Sequence, residues 1–228
     1  MNKYNVFDIV GPIMVGPSSS HTAGACRIAG AALNITEGKA FDRVLFRLHG
    51  SFASTYRGHG TDMALVGGIN GLGPSDPDLL HAFEISKKRG ISWSFEKADL
   101  GEVHPNSVEI VFYFKDGERL SVMGSSIGGG NIVIIAINNI QVEFKNEFPA
   151  LIVQYYDQPG IIAFVSSQLM TRSYNIESII THKEENLVTL LVETTERVDQ
   201  EALDRIFSND EFIFTKYIDL VKEEDHVS

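Results

Sequence analysis

In the second half of the chain, apolar and polar positions recur with the periods of strands and helices. Residues 150–156 alternate as a strand does, and apolar residues recur at helical spacing from Gly160 to about Thr171. Two strand-like segments follow at 175–183 and 187–193, then a short helix at 199–207 and a strand at 212–221. The predicted order is βαββαβ within about 70 residues, which is the ferredoxin-like pattern.

The first half mixes strand and helix rhythms. Residues 41–49, 92–96, 107–115 and 119–123 are strand-like, while 61–71 and 78–90 are predicted as helices that stop at glycines. Asp116-Gly117 predicts a hairpin between the last two strands. The predicted fold class is therefore α+β, with one domain at 1–146, a second at 149–222 and an acidic tail at 223–228.

Composition narrows the classes of function. The net charge is −11 and no basic stripe occurs, so we expect no binding to nucleic acid. No apolar run is long enough for a membrane span, and residues 1–8 lack the apolar core of a signal peptide, so we expect a cytoplasmic protein without membrane association. The single cysteine, Cys26, can neither form an internal disulfide nor hold an iron–sulfur cluster alone.

Three segments carry residue types that suit chemistry: Gly16-Pro17-Ser18-Ser19-Ser20-His21-Thr22, Gly58-His59-Gly60-Thr61-Asp62 and Gly124-Ser125-Ser126-Ile127-Gly128-Gly129-Gly130-Asn131. The first leads into a small-residue helix, where hydroxyls can cap the helix or bind an anion and a histidine can move a proton. In the second, His59 is either a proton-transfer group or an exposed residue beside a helix cap. The third is either an anion-binding nest or a turn between strands.

Two catalytic arrangements are disfavoured by the sequence. No nucleophile elbow surrounds any of the serines, which argues against a Ser-His-Asp hydrolase. His21, His59 and Asp62 form a two-histidine, one-carboxylate set, but their spacing matches no known metal signature.

The three segments in this order, followed by a ferredoxin-like half, resemble the beta subunits of iron–sulfur-dependent L-serine dehydratase. The first domain also resembles the allosteric substrate-binding domain of some phosphoglycerate dehydrogenases. The second resembles an ACT domain, a regulatory module that often binds an amino acid, at the turn Asp157-Gln158-Pro159-Gly160 and at Asn175.

The resemblance implies a lyase of amino-acid degradation that converts L-serine to pyruvate and ammonia. It implies a [4Fe–4S] cluster that acts as a Lewis acid and is ligated by cysteines of a partner alpha subunit, with no metal ligand in this chain. A monovalent cation is a further expected activator, to which no ligand is assigned. Self-association through the ACT domain is also expected.

Elimination of water from serine needs a base for a weakly acidic α-proton, and histidine suits this role near neutral pH. Under the resemblance, His21 and His59 form the proton-transfer pair. The expected substrate contacts are hydroxyl, carboxylate and glycine groups of the three segments: Ser18, Ser19, Ser20, Thr22, Thr61, Asp62, Gly128, Gly129 and Gly130. The expected effector contacts of the ACT domain are Asp157, Gly160 and Asn175. The other histidines have no comparable setting and are expected to be ordinary strand, helix or loop residues: His49, His81, His104, His182 and His226.

Two other functions remain open on the sequence. The chain could be a non-catalytic subunit that senses an amino acid, or an interaction module, and the ferredoxin-like half could serve only packing or dimerisation. The two histidines discriminate between these functions, because an effector site needs hydroxyls and N–H donors but no proton shuttle.

Overall fold

The computed structural model describes residues 14–220 of the chain. The N-terminal segment 1–8, the predicted tail at 223–228 and His226 lie outside these residues. The chain divides into two compact units between residues 139 and 140. This division comes earlier than the predicted link near 146–149, and the predicted domain limits stay predictions.

Both units contain helices and strands. The first unit contains a π-helical turn (Ser19–Gly24), α1 (Ala25–Ile35), β1 (Phe41–Leu48), α2 (Gly50–Thr55), α3 (Thr61–Gly68), a 3₁₀ turn (Pro77–His81), α4 (Ala82–Lys88), β2 (Ser92–Lys97), β3 (Ser107–Phe114), β4 (Arg119–Gly128) and β5 (Asn131–Ile137). The second contains β6 (Ile140–Phe144), β7 (Ala150–Tyr156), α5 (Ile161–Thr171), β8 (Ile176–Glu184), β9 (Leu187–Thr194), α6 (Gln200–Phe207) and β10 (Phe212–Ile218).

Within the first unit, the strands of the sheet lie in the order β2-β1-β3-β4-β5. Strands β1 and β2 are parallel, and β1 is antiparallel to β3. Alternation along β1 places Val44, Phe46 and Leu48 in the core, where each is fully buried. Helix α1 contacts β4 and β5, so the segment that precedes α1 is held close to this sheet.

Small residues let α1 and α3 approach closely. A Cβ atom at Gly68 of α3 would lie 2.4 Å from the carbonyl oxygen of Cys26 in α1, and 2.5 Å from the Cβ of Ala29. Only glycine fits there, because real Cβ atoms do not come so near to other heavy atoms. This packing holds the last turn of α3 against the first turns of α1.

The second unit shows the predicted order of elements: β7, α5, β8, β9, α6 and β10 run βαββαβ. Its four-stranded sheet has the order β10-β7-β9-β8, and every pairing is antiparallel. The apolar faces of α5 and α6 contribute Val165, Leu169 and Ile206 to one buried cluster with the inward face of β7 and β9. Asp199 caps α6 by accepting a hydrogen bond from Ala202 N at 2.7 Å.

The structure corrects several sequence predictions in the first unit. The helix predicted at 61–71 ends at Gly68, and the one predicted at 78–90 is a 3₁₀ turn followed by α4. The strand predicted at 119–123 extends to Gly128, and neither α2 nor β5 was predicted. In the second unit, β6 was not predicted either. Among the described residues, no helix has the length and hydropathy that a membrane span requires.

Candidate functional site

The serine loop enters the helix through a π-helical turn, Ser19–Gly24. Ser18 stands before it in extended conformation, and its Oγ accepts a hydrogen bond from His21 N at 3.2 Å. Turns of this width are rare and occur often at functional sites. The cap also folds the His21 ring back towards Ser18, so that Nδ1 lies 3.4 Å from the same Oγ.

His21 is half-buried and has a hydroxyl at each ring nitrogen. In addition to Ser18 at Nδ1, Ser51 places its Oγ 3.0 Å from Nε2. The buried ring of Phe52 meets the imidazole edge-on, with centroids 5.3 Å apart. Burial lowers the pKa of His21, and the charge of His59 lowers it further. The ring is therefore neutral near pH 7 and able to accept a proton.

His59 stands beside His21 on the adjoining loop. The two imidazole centroids are 4.9 Å apart and their planes meet at 78°. His59 is exposed to solvent. Thr22, fully buried, donates its hydroxyl to the carbonyl oxygen of His59 at 3.0 Å. This bond joins the serine loop to the Gly58–Asp62 segment, so the structure brings together the two histidines that the sequence singled out.

Thr61 and Asp62 form the first turn of α3, just after Gly60 in left-handed conformation (φ +70°). Asp62 Oδ1 accepts a hydrogen bond from Met63 N at 2.9 Å. Burial nevertheless raises the pKa of Asp62, and this effect exceeds the opposing effects of that hydrogen bond and of Arg57. The Thr61 hydroxyl is buried and has no hydrogen-bond partner among the described residues.

The third segment is the end of β4 and a hairpin turn. Gly128 pairs with Asn131, and the two residues between them, Gly129 and Gly130, have φ of +61° and +81°. Positive φ at both positions is typical of the two-residue turns that suit hairpins. The turn between strands, one of the two alternatives for this segment, is thus observed. Arg27 of α1 donates to the carbonyl oxygen of Gly130 at 2.9 Å and fixes the turn against the helix.

Ser126 of β4 packs directly against the π-helical turn. It is fully buried, its Oγ has no hydrogen-bond partner among the described residues, and a Cβ at Gly24 would lie 2.0 Å from that Oγ. A side chain at position 24 would therefore clash with Ser126, so the packing requires glycine there. Ser125 faces the other way and shares a 2.7 Å hydroxyl contact with Ser107.

The predicted effector residues lie in the second unit. Asp157 and Gly160 line a cleft of about 330 Å³ at the start of α5, together with Lys183 of β8. Asp157 and Lys183 form an ion pair there. Asn175 is not one of the residues that line the cleft, and its carbonyl oxygen accepts a hydrogen bond from Thr195 N at 3.1 Å.

The remaining described histidines make other contacts or are exposed. His49 Nδ1 accepts from Leu100 N, and His104 Nδ1 accepts from Asn106 N, both at 3.1 Å. His81 and His182 are exposed.

Sequence reasoning missed Ser51 and Phe52, which contact His21 across thirty positions of the chain. A weak signal was present, because a hydroxyl follows His49-Gly50 at the end of a predicted strand. Ends of strands are common places for functional side chains, but nothing local connects Ser51 to His21.

The chain's own residues do not fit an iron–sulfur cluster. Cys26 is buried, and its Sγ lies 3.2 Å from the carbonyl oxygen of Leu72. Within residues 14–220, no three His, Cys, Asp or Glu side chains are grouped to hold a metal ion. A [4Fe–4S] cluster is held by several thiolates, which one cysteine cannot supply.

The chain is similar in sequence to L-serine dehydratases and their beta chains. The family model described as serine dehydratase beta chain matches residues 5–136. The L-serine dehydratase beta chain of Peptoniphilus asaccharolyticus is 46% identical over 223 residues, covering 96% of this chain and 100% of its own length. The probable L-serine dehydratase beta chain of Bacillus subtilis is 37% identical over 208 residues, covering 90% and 94%. L-serine dehydratase TdcG of Escherichia coli is 30% identical over 151 residues, covering 57% of this chain and 33% of its own.

Proposed function

The chain belongs to the serine dehydratase beta-chain family, and from this premise we propose that His21 and His59 are the proton-transfer pair of the enzyme. The chain is a subunit of L-serine dehydratase, which converts L-serine to pyruvate and ammonia. The observation that carries the proposal is the contact between the two imidazoles, with centroids 4.9 Å apart, in loops joined by the Thr22 hydroxyl.

The different settings of the two histidines support different roles. His21 has a lowered pKa and a ring held by hydroxyls, which suits the base that removes the α-proton of L-serine. His59 is exposed, which suits exchange of protons with the departing hydroxyl and with solvent. Loss of that hydroxyl as water leaves an aminoacrylate, which becomes an imine and hydrolyses to pyruvate and ammonia.

The hydroxyls around the pair are proposed to bind the substrate's carboxylate and amino group. Ser18, Ser19 and Ser20 stand at the start of the π-helical turn, and the N-terminal end of a helix favours an anion. Thr22, Thr61 and Asp62 are proposed to align the two loops and the ligand. Gly128, Gly129 and Gly130 are proposed to shape the site's edge, which is supported by the Arg27 contact to the turn.

The cluster is proposed to be a [4Fe–4S] group ligated by cysteines of a partner alpha subunit. The single buried cysteine of this chain supports that assignment. So does the length relation, because this chain matches only 33% of the longer Escherichia coli relative, which leaves most of that protein to correspond to another chain. A heterodimer in the cytoplasm, with a monovalent cation as activator, completes this proposal.

The second unit is proposed to be an ACT domain that binds an amino acid and can self-associate. Its element order and strand order support the fold, and the cleft at Asp157 and Gly160 supports a ligand. Asn175, which directly precedes β8, stays in the proposal as an effector contact. Calorimetric titration of the full chain with L-serine, compared between wild type and Asp157→Ala, tests it. Equal binding by both proteins, or none by wild type, would reject the effector site.

The catalytic proposal is tested in the assembled enzyme. We would co-express the chain with the larger subunit under anaerobic conditions and assay pyruvate formation from L-serine. The comparison is with a complex that carries alanine at both His21 and His59, matched for iron content. Loss of activity at unchanged iron supports a catalytic pair. Unchanged activity would reject it and favour the alternative of a non-catalytic, amino-acid-sensing subunit.

A further inference from the structure

The Ser51 hydroxyl contacts a side chain outside its own helix, that of His21. The other two hydroxyls of α2 stay within the helix: Ser54 donates to the carbonyl oxygen of Gly50 at 3.0 Å, and Thr55 donates to that of Ser51 at 2.8 Å. Ser51 Oγ instead lies 3.0 Å from His21 Nε2. Three hydroxyls on one short helix thus differ in what they bind, and only one of these three contacts the imidazole.

The start of α2 is fixed by contacts on its other side. Gly50 has φ of +54°, and a Cβ there would lie 2.6 Å from the carbonyl oxygen of Pro105. That same oxygen accepts hydrogen bonds from Ser51 N at 2.8 Å and Phe52 N at 3.4 Å. Because the backbone of Ser51 is held by Pro105 and Phe52 is fully buried, the main chain that carries the Ser51 hydroxyl is fixed by contacts other than those to His21.

A hydroxyl is well matched to a histidine that changes its protonation state. A neutral imidazole has one N–H donor and one bare nitrogen, whereas the imidazolium has two donors. Serine can donate to the bare nitrogen and accept from the N–H, so the contact survives both states. A carboxylate in this place would favour the charged ring and raise its pKa, which would oppose the neutral state that burial favours.

We infer that Ser51 is a positioning residue for His21, holding the ring at Nε2 so that its orientation stays constant through proton transfer. The inference rests on the proposed function, since it gives Ser51 a role only if His21 transfers a proton. Ser51 touches the base rather than the substrate, and therefore its removal should lower kcat and leave KM nearly unchanged.

The test is a double-mutant cycle in the assembled enzyme with its partner subunit. Ser51→Ala is compared in the wild-type and the His21→Ala background, with Ser54→Ala as the matched control on the same helix. We expect Ser51→Ala to lower kcat by on the order of 10²-fold, as for other small misplacements of catalytic groups. The loss should disappear in the His21→Ala background, and Ser51→Thr, which keeps the hydroxyl, should restore most of the rate.

The outcomes separate this inference from the proposed function. A Ser51→Ala rate equal to that of Ser54→Ala overturns the inference, as does an equal loss in both backgrounds, which would indicate a structural role. If His21→Ala itself keeps the wild-type rate, the proposed function fails instead, and Ser51 loses its role with it. Should Ser51→Ala fail to assemble, Ser51→Cys, which is close in size and a weak donor, must show the same loss of kcat.

Discussion

Polar groups are arranged differently in the two units of the chain. In the first, His21 is half-buried between two hydroxyls. The neighbouring ring of His59 supplies no negative charge that would stabilise a protonated His21. In the second, Asp157 and Lys183 at the cleft are about half exposed and paired with each other. The first arrangement lowers the pKa of His21, whereas the second is an ion pair that is partly open to solvent. Proton transfer suits the first setting, and recognition of a charged amino acid suits the second.

The largest expected effect is a loss of kcat when His21 of the first unit is substituted. His21→Gln removes the proposed proton acceptor of the first unit, so kcat of the assembled enzyme should fall about 10²–10⁴-fold, as for other acid–base groups. His81→Gln, an exposed histidine of the same unit, is the control and should keep the wild-type rate. Steady-state assays of pyruvate formation at saturating L-serine measure both. A wild-type rate in His21→Gln would remove the distinction between the regions.

A second prediction concerns the packing beneath the first site. Gly24→Ala would place a Cβ 2.0 Å from the buried Ser126 Oγ, so the turn or the strand must shift. Overpacking of this kind costs about 1–3 kcal/mol of unfolding free energy. Chemical denaturation of the full chain measures the loss, with Gly30→Ala in α1, where a Cβ meets open space, as the control. Equal stability of both variants would show that the contact between Gly24 and Ser126 is loose.

The pH dependence of stability sharpens the comparison further. Because the pKa of His21 is lowered in the folded state, the unfolded chain binds this proton more readily. The contribution is fully favourable above the ordinary value of 6.5 and is lost as pH falls below that value and through the lower pKa of the folded state. His21→Gln cannot take up the proton, so its thermal midpoint should fall less than that of wild type between about pH 7 and 5. A steeper fall in the variant would contradict the lowered pKa.

The smallest expected effect belongs to the second unit. The Asp157–Lys183 pair is solvent-exposed, and exposed pairs contribute about 0–1 kcal/mol. A double-mutant cycle with Asp157→Asn and Lys183→Met, followed by denaturation, should give a coupling energy in that range that decreases with added salt. A coupling well above it would mean that the pair is structural rather than available to a ligand.

The sequence predicts the second unit better than the first. Its helix and strand periods are long and uninterrupted, and they give the observed βαββαβ order. In the first unit, β5 escaped prediction, although Gly129 and Gly130 (φ +61° and +81°) form a hairpin turn before it. Helix α2 was missed because its glycine, serines and threonine are poor helix formers, and tertiary contacts to Pro105 hold it instead.

The candidate site was predicted in part. The sequence identified both histidines and the hydroxyls near them, because unusual residue types cluster in two short loops. It could not show that the loops meet, nor that Ser51 reaches Nε2, because those contacts join positions about thirty or more residues apart. Long-range contacts of this kind depend on how the helices of the first unit pack together, which local patterns do not specify.

The central claim is that His21 removes the α-proton of L-serine, and the kinetic isotope effect of the assembled enzyme tests it most directly. We would compare L-serine with its α-deuterated form in wild type and in His21→Gln at equal iron content. The account predicts that the variant is slower and shows a larger isotope effect on kcat, because cleavage of the C–H bond becomes more strongly rate-limiting. A variant with the wild-type rate and the wild-type isotope effect would contradict it.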